Sequence, residues 1–385
     1  MKLKTFKEIL ENRHAYAKSW KAKTGRKVLG FYDTYFPEEV AYAAGLMPVR
    51  ILAEHEADDV TDRLMYGNCY CTRDMLNQFA RGRYDYIDGL VSIESCQWWY
   101  NAFDTTLIMF PDLFSHYLFT PDYLDARTSK DVMRSELSVF AERLEEWLGT
   151  KITDEKLDDA INVYNKNRAL LRRIYELRRF DTPVILGSET MEIMLANQVM
   201  DKAEANVMLE SLLSDIEKRE PYQDCVRLML LGSETYDVSL ERLVESLGAN
   251  VVVDELDNGT GCIANDVIPL KDRLMAIGLR YLGKPHSALK DSIWRRRQER
   301  IFQLYEDWQA DGVIIAKQIY CHPHGTDMYA VWKLLRERNI PYITFERDTT
   351  LPQEETRLAV EGLISQIEPG RTRIAGWSRS GAKTG

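Results

Sequence analysis

Two rhythms alternate along this chain. Short apolar runs are followed by longer stretches whose apolar residues recur at helical spacing. RKVLGFY (26–32), MPVRIL (47–52) and YIDGLVSI (86–93) read as strands. The last is continuously apolar over its second half, as expected of a strand covered on both faces. Between them, FPEEVAYAAG reads as a helix: Pro37 suits its start, Glu38 and Glu39 suit its positive end, and Gly45 suits its stop. Residues 5–24 and 72–82 carry amphipathic helical patterns. Strands alternating with helices predict a parallel sheet.

From 127 to 220 the pattern is helical throughout, in long segments such as DEKLDDAINVYNKNRALLRRIYELRR. The mixed rhythm then returns. CVRLMLLGSE, ANVVVDEL, DGVIIAKQI (311–319) and IPYITFER read as strands, separated by helical patterns. DGLVSIESC (88–96) and DGVIIAKQIYC (311–321) echo one another: Asp-Gly, an apolar strand, then a cysteine just past its end. The pattern predicts an α/β protein with two parallel-sheet domains of Rossmann- or flavodoxin-like plan. The first spans 1–126 with an N-terminal helix, a helical segment spans 127–220, and the second domain spans 221–369. Residues 370–385 are basic, small and Gly-rich, and read as a flexible tail.

Composition narrows the function. The 385 residues are 45% hydrophobic and 29% charged, a soluble globular balance. A net charge of −10 argues against nucleic acid as a partner. No apolar run approaches membrane-spanning length, and MKLKTFKEIL has no secretory core. A cytoplasmic protein with no membrane partner is expected. Its six cysteines should then be thiols or metal ligands, not disulfides.

The position of those cysteines is informative. Cys96 and Cys321 follow strands at the carboxyl edge, where open α/β sheets bind ligands. Cys71 heads the helical pattern CTRDMLNQFARG, where the helix dipole favours a thiolate. Three thiolates from two facing domains suit a soft metal centre with one open position. Ordinary buried cysteines are the competing reading, favoured for Cys225 and Cys262. Cys69, in the Cys-Tyr-Cys pair, is an alternative to Cys71.

These segments, in this order, resemble the benzoyl-CoA reductase / 2-hydroxyacyl-CoA dehydratase family. The resemblance runs from about residue 26 to 366 through FPEEVAYAAGLMPVRI, CTRDML, YIDGLVSIESC, LLGSE, VVVDELDNGTGC, DGVIIAKQIYCHPHGTD and NIPYITFERD. It is nearest in flavour to the smaller cluster-carrying subunit of the ATP-dependent reductases. The resemblance implies one four-iron, four-sulfur (4Fe-4S) cluster per chain, held by Cys71, Cys96 and Cys321. It implies ATP-driven two-electron reduction of the ring of benzoyl-CoA to a cyclic dienoyl-CoA, with electrons from reduced ferredoxin. It also implies a homologous cluster-bearing partner and two ATP-hydrolysing activator-type subunits. Nucleotide-binding loops are missing from this sequence, so ATP and Mg²⁺ are expected on those partners only. The alternatives are a subunit that dehydrates 2-hydroxyacyl-CoA by radical chemistry and a non-catalytic metal-binding scaffold.

Three further features carry candidate chemistry. CQWWYN places Trp98 and Trp99 beside Cys96, where they could line a flat aromatic acyl-CoA pocket. CHPHG places His322 and His324 beside Cys321 as candidate proton donors. The basic run WRRRQER (294–300) is expected to be a solvated helix face.

Overall fold

A computed structural model describes residues 2–54, 65, 67–121, 126–285, 287–290, 294–348 and 353–370. The proposed tail, beyond residue 370, lies outside the described residues. The N-terminal helical pattern divides at Asn12 into α1 (Lys2–Glu11) and α2 (Arg13–Thr24). The first sheet domain follows: β1 (Val28–Phe31), α3 (Glu38–Ala43), β2 (Met47–Arg50), α4 (Tyr70–Ala80), β3 (Gly89–Ile93), α5 (Gln97–Met109) and β4 (Phe114–Leu118). Four long helices come next: α6 (Ser129–Leu148), α7 (Asp154–Glu176), α8 (Gly187–Val199) and α9 (Lys202–Ile216). The second sheet region follows: β5 (Val226–Gly232), α10 (Ser239–Ser246), β6 (Ala249–Glu255), α11 (Thr260–Ile263), α12 (Arg273–Leu282), α13 (Trp294–Asp307), β7 (Gly312–Gln318), α14 (His322–Glu337), β8 (Tyr342–Arg347) and α15 (Gln353–Ile367), of which α12 packs back onto α6 and the core of the first sheet.

Both sheets are four-stranded and parallel, in the orders β2-β1-β3-β4 and β6-β5-β7-β8. Each begins at an inner strand, steps outward, then crosses to the other side. The two domains therefore share one topology, as the Asp-Gly echo predicts. The echo has a physical cause. The Asp88 carboxylate accepts from the Val28 amide at 2.9 Å, and Asp311 accepts from the Arg227 amide at 2.9 Å. In each domain the Asp ties the start of the first strand to the start of the third. The following Gly sits in a crowded place: a Cβ on Gly89 would lie 2.9 Å from the fixed Phe114 carbonyl oxygen, and one on Gly312 would lie 2.7 Å from Ile367 Cδ1, the movable end of a side chain, and 3.2 Å from the Pro341 carbonyl oxygen.

The central strands are buried throughout, and α8 is buried on nearly every residue between the sheets. Among the described residues no helix is long and apolar enough to cross a membrane.

Candidate metal centre

In a sheet of this order the crossover point lies between the first and third strands, and its carboxyl edge is the natural ligand site. The two crossover points carry Cys96 after β3 and Cys321 after β7. Each is the N-cap of the helix that follows, α5 and α14. The third N-capping cysteine is Cys69, because α4 begins at Tyr70. Cys71 lies inside the first turn of that helix. The three N-caps share a common electrostatic arrangement. None of the three sulfurs makes a capping hydrogen bond, but nearby amides of the turn ahead favour the anionic form: Thr72 and Cys71 for Cys69, Trp99 and Trp98 for Cys96, and His324 for Cys321. Amides and dipole at a helix start stabilise anionic sulfur.

The thiols differ in how readily they ionise. The Cys71 side chain, acting as a hydrogen-bond partner, pulls Cys69 down to about 7 against the effect of burial. Burial pushes Cys96 up to about 12, and the charge of Cys69 pushes the same way. Cys321 is likewise pushed up to about 12 by burial, opposed by the His324 amide and assisted by the charges of Cys69 and Cys96. So Cys69, Cys96 and Cys321 form one mutually repelling set. Cys71 is coupled to Cys69. Burial holds its proton on well above the ordinary range, the hydrogen bond and charge of Cys69 both help to keep it protonated, and its Sγ donates to Gln318 Oε1 at 2.7 Å in the other domain. Cys225 and Cys262 are half-buried, and Cys262 Sγ donates to the Asp257 carbonyl oxygen.

Among the described residues no three His, Cys, Asp or Glu side chains converge as they would around a single metal ion. A four-iron cluster makes a different demand, since each thiolate would bind its own iron and the sulfurs need not meet at one point. The donor set fits such a group: three sulfurs, each on a helix N-terminus, spread over two domains and of the soft type that iron–sulfur clusters select.

The aromatic pair separates in role. Trp99 is core, stacked on Tyr32 with ring centroids 5.6 Å apart. Trp98 reaches across the cleft: its Nε1 donates to the Tyr320 carbonyl at 3.0 Å, and its ring lies 5.0 Å from that of His322. His324 is buried, with Nε2 3.7 Å from Asp257 Oδ2. The basic run departs from expectation. Arg297 turns inward to Glu255 and Asp327, and Arg300 donates to Thr260 Oγ1. A carboxylate-rich interior behind β6 outweighs solvation of these two side chains.

Sequence reasoning singled out His324 but missed the other polar groups near it. Asp33 lies two residues past the end of β1 and Ser233 one residue past the end of β5. Asp33 Oδ2, Ser95 Oγ, Ser233 Oγ, Asp257 Oδ2 and His324 Nε2 are all buried and make no hydrogen bond within the protein. Arg50, at the end of β2, spans the domains to Glu234 Oε1 at 2.6 Å and Gln198 Oε1 at 2.9 Å. A strand-terminal polar residue is the only local signal for such positions.

Comparison with known proteins agrees with this layout. The family model described as 2-hydroxyglutaryl-CoA dehydratase, D-component, matches residues 33–367. A benzoyl-CoA reductase subunit of Thauera aromatica is 27% identical over 339 residues, covering 86% of this chain and 88% of that protein. The (R)-phenyllactyl-CoA dehydratase beta subunit of Clostridium sporogenes is 23% identical, covering 94% and 97%. The beta subunit of (R)-2-hydroxyglutaryl-CoA dehydratase from Acidaminococcus fermentans is 22% identical, covering 89% and 92%. The two-sheet plan and the nearly full-length match together place this chain in the 2-hydroxyglutaryl-CoA dehydratase D-component family, among subunits of acyl-CoA dehydratases and reductases.

Proposed function

We propose that this chain is the iron–sulfur subunit of a benzoyl-CoA reductase and holds one 4Fe-4S cluster through Cys69, Cys96 and Cys321. Three N-capping cysteines at the carboxyl edges of two like sheets carry the proposal. The likeness to a benzoyl-CoA reductase subunit supports the substrate. Cys69 is proposed in the position that the sequence pattern assigns to Cys71, because the helix begins at Tyr70, two residues earlier than that pattern suggests.

The cluster would supply low-potential single electrons and an open iron position. The chain supplies the rest. Its helix N-termini hold the anionic sulfurs. Burial of Cys69, with Trp98 bridged across the cleft, limits water. The unsatisfied polar atoms of Asp33, Ser95, Ser233 and His324 offer hydrogen bonds to ordered water or an acyl-CoA carbonyl. The reaction adds two electrons and two protons to the ring, giving a cyclic dienoyl-CoA. Electrons would come from reduced ferredoxin through two ATP-hydrolysing partner subunits, alongside a homologous cluster-bearing subunit.

The second reading is dehydration of a 2-hydroxyacyl-CoA to an enoyl-CoA, which the family description and the two dehydratase relatives favour. Anaerobic co-purification with its partners, then assay with ATP and a strong reductant, separates the two. A diene from benzoyl-CoA supports the reductase. An enoyl-CoA from a hydroxyacyl-CoA, with no diene, replaces it with the dehydratase. A tightly held zinc in place of iron leaves only a scaffold.

A further inference from the structure

Where the first domain, the helical segment and the second domain meet, they line a partly open cavity of about 40 Å³. Its wall carries Arg50, Arg168, Lys202 and Arg280 against one carboxylate, Glu38. All four cations are buried. Three have anionic partners: Arg50 with Glu234, Arg168 with Glu39 and Asp266, Lys202 with Glu38. Arg172 shares Asp266. Arg280 has none within salt-bridge reach among the described residues. Glu39 feels its charge, but that carboxylate is already bonded to Arg168 and Tyr281. Arg280 donates only to the carbonyls of Asn265 and Cys262, and its guanidinium lies 4.5 Å from the Tyr281 ring. Arg50 Nε, fully buried in the same wall, makes no hydrogen bond within the protein. The wall thus has one surplus positive charge and an unpartnered donor.

We infer that this cavity binds a small monovalent anion of halide size, which neutralises Arg280 and accepts from Arg50 Nε. A buried guanidinium with no counter-charge is costly, whereas one with an anion and full hydrogen bonding is stable. Size selects the class. A water needs roughly 10–15 Å³ in this measure, so the space admits about three waters or one halide with a water. The buried part of this space suits a halide better than a phosphate or an organic carboxylate. The anion would fasten three segments whose junction sets the spacing of the two sheets. This site is separate from the cysteine edge and does not depend on the proposed reaction.

The test is thermal unfolding of the full chain in sodium chloride against sodium gluconate at equal ionic strength. An anion that binds only the folded state raises the midpoint along a saturating curve. The expected result is a saturable rise of several degrees in chloride. Arg280→Lys, which keeps the charge, should retain it. Arg280→Met should lose the chloride dependence and melt in gluconate no lower than the parent, since the surplus charge is gone. Crystals soaked in bromide give a reading independent of either variant, an anomalous peak within hydrogen-bonding distance of Arg50 Nε and Arg280. Coincident curves in the two salts, a chloride effect that survives Arg280→Met, or a bromide-free cavity would each overturn the proposal.

Discussion

At the residue scale, the two cysteines of the Cys-Tyr-Cys segment are separated by one geometric fact. Cys69 sits outside the helix with extended backbone, so its sulfur can turn back onto the first amides. Cys71 is within the helix and spends its proton on Gln318. Replacing Cys69, Cys96 or Cys321 by Ser should each reduce iron to a small fraction of the parent's roughly four per chain, since a hydroxyl is a poor ligand for iron in a sulfide cluster. Cys71→Ser, Cys225→Ser and Cys262→Ser should retain most of it. Iron and sulfide analysis after anaerobic reconstitution decides. Iron kept in Cys69→Ser and lost in Cys71→Ser would restore the assignment that the sequence pattern suggests. The helical pattern is legible there, but its first residue is not. An N-cap has no apolar periodicity of its own, and a two-residue error changes which sulfur faces the cleft.

A second residue-scale prediction concerns Glu241 in α10. Both its carboxyl oxygens are buried without a hydrogen bond, and burial raises its pKa to about 8. Arg347 draws it back down, while Asp237 and Glu245 add to the rise. The unfolded carboxyl titrates near 4.3. The folded state therefore favours the protonated form. Stability contributed by that proton is full below the unfolded value and is lost as pH climbs through about 8, at about 1.4 kcal/mol per unit of difference. Glu241→Gln keeps the shape and removes the titration. Its melting midpoint should match the parent below about pH 4 and exceed it by several degrees at pH 8.5. Parallel curves for the two proteins would show that this carboxyl does not titrate in the folded range.

At the scale of elements, the parallel α/β plan is readable because strands covered on both faces leave continuous apolar runs. β1, β3, β5, β6 and β7 follow that rule. β4 is not readable in this way. It is an edge strand, its first four residues are only half-buried, and FSHYL mixes polar with aromatic residues. Nothing in the composition of the N-terminal helical pattern marks its break at Asn12. The Asp-Gly echo is the better guide, since it reflects a required contact and not a propensity. Gly89→Ala tests that contact. Its new methyl would meet a backbone carbonyl at 2.9 Å, which cannot swing aside as a side chain can. The cost should be about 1–3 kcal/mol, read as a lower denaturant midpoint with unchanged slope. Gly25→Ala, where a Cβ would meet nothing but the φ is +68°, should cost about 1 kcal/mol from backbone strain alone. An indistinguishable pair would mean that the strand shifts freely to admit the methyl.

At the scale of the whole molecule, the proposed centre draws two sulfurs from one domain and one from the other, so it exists only while the sheets keep their spacing. Several contacts span the cleft. Cys71 meets Gln318, Trp98 meets the Tyr320 carbonyl, and Arg73 meets Asp348. The Arg50–Glu234 pair is the most deeply buried charged link among them, with side chains 0% and 4% exposed. Losing one member strands the other charge away from water. Arg50→Met should therefore cost about 3–5 kcal/mol. Removing both members should cost far less, because the desolvation penalty of the pair goes with them. Urea unfolding of Arg50→Met, Glu234→Met and the double variant makes this a cycle, and the expected coupling is large and favourable. Partial proteolysis supplies the link to the site: Arg50→Met should be cut faster within the cleft segments, and the double variant should regain resistance. If the double variant is as unstable as the sum of the singles, Arg50 and Glu234 act independently, and the spacing of the sheets must be set by α8 and the apolar contacts around it.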